Sequence, residues 1–159
     1  MEILIIILLI DTLPLSFISA TAATVTAFAA LVLSYFAGAV IAPGMLLFWG
    51  VATARVVALR LMLPRTVTSH HDGMVYIAAG AVAGLFIGIA VYPSASAAAI
   101  IAGTLLGALA YSTTPVGRAR LGFPSRKAVN YLCAKGLPVI VALTMAVTAF
   151  VSLRHDFAL

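Results

Sequence analysis

The chain has 159 residues, of which 64% are hydrophobic and 8% charged, with a formal net charge of +5. A soluble domain carries roughly 25% charged residues, because charge covers its wet surface. Nine basic and four acidic side chains cannot cover a water-soluble globule of this length, so the composition excludes an ordinary soluble fold and points to lipid as the main solvent. The basic residues lie between apolar stretches, where topology signals and headgroup contacts occur, and not in a nucleic-acid-binding pattern. The single cysteine, Cys133, excludes an internal disulfide and a cysteine-only metal cluster.

The first apolar stretch, 3–20, is interrupted by Asp11 and Pro14. It is compatible with a short span, a re-entrant segment or a signal peptide. The small residues Ser19 and Ala20 suit a cleavage site, but the leading segment carries Glu2 and no base, so retention is expected. A second span is expected over 22–41, closed by Ala42-Pro43-Gly44, because proline cannot continue a helix and glycine permits a turn. The third, 45–63, carries Trp49, Arg55 and Arg60 and stops at Pro64. A fourth span, 74–91, leads through Tyr92-Pro93-Ser94 into a fifth, 95–111. Tyr76 and Tyr92 are about 24 Å apart along a helix at 1.5 Å per residue, which suits rings anchored at two membrane interfaces. A basic loop follows, and the last span, 129–152, carries Lys135 and Pro138.

The fold expected is therefore all-α: one polytopic transmembrane helical bundle of five to six short-looped helices. The loops at 64–73 and 113–127 hold Arg65, Arg118, Arg120, Arg126 and Lys127. Two spans separate them, so they share a face, which the positive-inside rule makes cytoplasmic. The chain end then lies on the opposite face. A bacterial-type inner membrane, or a virion membrane derived from one, is the expected location.

The clearest pattern is a small residue at every fourth position. Gly80, Gly84 and Gly88 are followed in the next span by Ala95, Ala99, Gly103 and Gly107. Positions four apart share a helix face, and small residues let backbones approach closely, a main source of helix association in lipid. The pattern predicts a glycine-zipper hairpin that packs within one subunit or against neighbouring ones.

Asp11 and Arg55 are the charges expected inside spans. An intramembrane charge is costly, so each is a candidate for ion or proton handling, or for a structural pair if their helices touch. Arg118, Arg120, Arg126 and Lys127 form a basic cluster suited to anionic lipid or an acidic partner. Lys135 lies within snorkelling distance of that face. His70, His71 and Asp72 share a loop, but a metal site needs three or four converging ligands, and a solvated turn is the simpler reading. Mid-span histidines suited to holding haem are missing, as are a Walker loop, a GxSxG elbow, an HExxH motif and paired catalytic carboxylates. No cofactor, metal or enzymatic activity is expected. The sequence favours a subunit that packs into a homo-oligomer or larger membrane complex, such as a secretion, respiratory or viral-envelope assembly. A small transporter or channel using Asp11 and Arg55 is the alternative, and a holin-like permeabilising protein is a third.

Overall fold

The computed structural model describes residues 2–62, 73–91, 95–121 and 126–157. Among these, every regular element is helical. α1 (Glu2–Ile18) contains Pro14 and runs into α2 (Ala20–Phe36) across Ser19 alone. Ser19 is extended, with φ −150° and ψ 100°, and its hydroxyl accepts from the Ala22 amide at 3.4 Å. A polar N-cap of this kind satisfies one of the donors that a helix start leaves open. α1 packs along α2, so the one-residue break is the bend of an antiparallel hairpin.

α2 stops at Phe36, five residues before the end expected from hydropathy. The cause is local. Gly38 adopts φ +98°, its amide donates to Tyr35 O, and the Ala39 amide reaches back to Ser34 O at 3.1 Å. These two bonds close the helix in a Schellman motif, which needs a left-handed residue at the position glycine occupies. α3 (Pro43–Met62) begins on a proline, whose missing N–H costs nothing in a first turn. It returns along α2. α4 (Met74–Val91) and α5 (Ser96–Thr113) form a second hairpin.

The segment expected as a basic loop contains a short helix, α6 (Pro115–Leu121). Thr114 is its cap: extended backbone, with a hydroxyl that accepts from the Gly117 amide at 3.0 Å, and Pro115 at the first helical position. α7 (Arg126–Tyr131) then passes through a π-turn (Leu132–Gly136) into α8 (Leu137–Phe157).

Among the described residues, four helices are long and apolar enough to cross a membrane: α3, α4, α5 and the continuous run Arg126–Ser152. α1 and α2, at 17 residues each, extend about 25 Å, a little short of the roughly 30 Å hydrocarbon layer. Two apolar clusters fill the interior. One gathers Ile77, Ala81 and Leu85 of α4 with Ile100 of α5 and Val139 and Leu143 of α8. The other joins Ile5, Ala27 and Leu31 to Trp49 of α3 and Ala142 and Met145 of α8. α8 is thus shared by both halves.

Several buried hydroxyls are accommodated in the apolar interior by bonding to their own helices. Thr12, Ser16, Ser34, Thr53 and Thr104 donate to carbonyls three or four residues back. Thr24 also donates across helices to Pro138 O at 2.9 Å. The outer face is strongly apolar: Ile3, Phe36, Leu47, Met62 and Val91 are all mostly exposed.

Candidate functional site

Among the residues whose burial is described, Lys135 is the charged one that the fold buries. It sits within the π-turn, 6% exposed, with Nζ 4.9 Å from the centre of the Tyr131 ring. The local sequence explains the turn. Pro138 has no N–H to donate to residue 134, and its ring would collide with that carbonyl in a regular α-helix. The wider π-turn relieves the conflict, and the Leu137 amide donates to Leu132 O, five residues back. Side chains on a helix lean toward its N-terminus, so Lys135 folds back over Tyr131. The ring face attracts the ammonium through its quadrupole.

Tyr131 stacks on Tyr111 at 5.7 Å between centroids, and Tyr111 meets Tyr76 at the same separation, tilted. Three rings from α4, α5 and α7 therefore cap the bundle end where α4 begins and α5 finishes. Gly73 closes this cap with φ +76°. A β-carbon there would collide with the Tyr131 hydroxyl and lie 2.7 Å from the Tyr111 ring. This site escaped sequence reading, which took Lys135 for a snorkelling side chain and Tyr76 for an interface anchor. The available signal was a lysine three residues before a proline inside an apolar run.

The small residues of the hairpin face one another. A β-carbon on Gly80 would collide with Gly103 O and lie 3.0 Å from Gly107 Cα. One on Gly84 would collide with Ala99 O, and one on Gly88 would fall 2.6 Å from Ser96 Cα. Gly107 meets Tyr76 and Ile77 in the same antiparallel register. Ala99 is half-buried in this seam, whereas Ala95 is exposed.

Asp11 and Arg55 are both exposed on the outer face, and among the described residues no ion pair joins them. Arg118, Arg120, Arg126 and Lys127 are exposed on α6 and α7, at the bundle end that carries the tyrosine cap. Arg65, His70, His71, Asp72 and the Tyr92-Pro93-Ser94 turn lie outside the described residues. Among the described residues, no three histidine, cysteine or acidic side chains converge as a metal site would require.

No family model, curated protein or solved structure matches the chain.

Proposed function

We propose that this chain is a multi-pass integral membrane subunit that packs into a homo-oligomer or larger membrane complex and has no catalytic role. The observation that carries the reading is the placement of Asp11 and Arg55 on the apolar outer face of the bundle. Charged residues within membrane-crossing helices face a bundle interior or a water-filled cavity, where partners compensate the lost hydration. An outer face of a lone subunit offers neither, whereas an interface between subunits does. The apolar surface on all sides and the short connections fit the same role.

The glycine zipper belongs, on this reading, to the subunit's own α4–α5 hairpin, and assembly uses other faces. The basic residues of α6 and α7 lie on the cytoplasmic side and meet anionic headgroups. The test is gentle extraction in mild detergent followed by native mass measurement. The expected species contains several copies, or this chain with other subunits, in fixed ratio. A monomer that brings nothing with it overturns the reading.

A second reading, a small transporter or channel, is favoured by Lys135. An ionisable residue within a membrane segment is a functional candidate, and π-turns recur at functional sites. Purified chain in liposomes would then move ions, and Lys135→Met would abolish the flux.

A further inference from the structure

We infer that Asp11 of one copy pairs with Arg55 of a neighbouring copy, so that α1 and α3 form the two sides of a subunit interface; this rests on the subunit reading above. Three observations select a second copy as the occupant. The first is depth. α1 and α3 both run antiparallel to α2, so they are parallel to each other. Asp11 lies seven residues before Ile18, and Arg55 lies seven before Met62. Each is therefore about 10 Å from the same end of the bundle at 1.5 Å per residue. Copies standing side by side in one membrane bring the two charges to one level.

The second is charge complementarity on exposed surface. Both side chains are exposed and unpaired with each other within the chain, so each stays available to a neighbour. An aspartate side chain is too short to reach headgroups from about 10 Å inside an apolar helix, and a partner must come to it. Arginine supplies that partner best, because its planar fork meets a carboxylate through two parallel N–H donations.

The third is the surround. Asp11 sits among exposed Ile7, Ile10 and Ile18, and Arg55 among exposed Phe48, Val51 and Met62. Each charge is the polar centre of an apolar stripe, an arrangement that excludes water from a pair when two stripes meet.

The experiment is charge reversal in the full chain, read by native mass measurement in mild detergent and in lipid nanodiscs. Wild-type chain is expected to be oligomeric. D11K and R55E are each expected to weaken self-association by about thirtyfold or more, the scale of losing one partner of a desolvated pair. The D11K/R55E double variant restores it, as does co-expression of D11K chains with R55E chains, where every charge again meets its opposite. These rescues separate a lost interface from a misfolded chain. Cross-linking of D11C/R55C between copies, in a Cys133→Ala background, is expected in native membranes. An oligomer indifferent to both reversals overturns the inference and leaves the subunit reading standing, as does a single copy bound to a different protein. Failure of both rescues also overturns it. A solitary monomer overturns the inference and the subunit reading together.

Discussion

The two halves of the bundle are held together by different means. In the α4–α5 hairpin, backbone meets backbone: glycines at 80, 84, 103 and 107 leave no side chain between the helices. In the α1–α3 half, packing runs through side chains, with Trp49, Leu31 and Ile5 filling the space and hydroxyls tied to their own helices. In lipid, apolar side chains gain little by leaving one apolar neighbour for another, whereas close backbone approach adds dispersion contacts that lipid cannot match. The hairpin is thus the more closely packed half, with its small-residue surface used internally. The α1–α3 half leaves Asp11 and Arg55 exposed on its outer surface.

Substitution at Gly84 breaks this comparison most directly. Its β-carbon would overlap the Ala99 carbonyl, which is backbone and cannot step aside. Gly84→Leu is expected to cost about 3 kcal/mol, the upper part of the usual overpacking range, measured by titrating the detergent-solubilised chain with a denaturing detergent. Gly44, exposed in the first turn of α3 with open space around it, is the control. Gly44→Ala is expected to be neutral or slightly stabilising, since alanine is the better helix former. Equal losses at the two positions would dissolve the distinction between the halves.

The tyrosine cap ties the hairpin to the run through α7 and α8, with Tyr111 standing between Tyr76 and Tyr131. Tyr131→Ala removes the stack on Tyr111 and the ring beneath Lys135. A loss of about 3 kcal/mol is expected for deleting a buried ring. Faster hydrogen exchange at the start of α4 and the end of α5 would locate the damage. Exchange confined to α1 and α2 would show that the cap does not clamp the hairpin.

A smaller effect belongs to the seam between α2 and α8. Thr24 donates to Pro138 O across that seam. Thr24→Val keeps the shape and deletes the donor, for an expected loss of about 0.6 kcal/mol, typical of interhelical hydrogen bonds in membranes. A loss several times larger would make α2–α8 as tight as the hairpin.

The helical bundle was legible in the sequence because a chain with so few charges has one kind of solvent available, and because proline and glycine mark its breaks. The spacing of Gly80, Gly84, Gly103 and Gly107 announced close approach without saying which surfaces would meet. Hydropathy misplaced the end of α2, since 37–41 are as apolar as the helix before them; the left-handed Gly38 decides, and hydropathy does not register backbone handedness. Lys135 was missed for a related reason. Whether a lysine near a helix end snorkels or folds inward depends on what stands beside it, and Tyr111 is 20 positions before Tyr131, on another helix. Asp11 and Arg55 were found by residue type, but their outward placement follows from helix rotation, which near-uniform apolar helices do not encode in their pattern.

Trp49 carries the finest distinction. It is 9% exposed, and among the described residues its indole Nε1 has no hydrogen-bond acceptor. An unmet buried donor costs about 1–3 kcal/mol. Trp49→Phe removes that donor and gives up part of a ring, two changes of opposite sign, so the isolated subunit is expected to lose less than about 1 kcal/mol. Far-UV circular dichroism must follow the unfolding, because the variant has no tryptophan left. The Trp49 Nε1 is fully covered within the single chain, so a neighbouring copy cannot reach it, and the loss is expected to be the same in the isolated subunit and in the assembly. A loss of about 2 kcal/mol or more in either form would mean that an acceptor within the chain itself meets the donor.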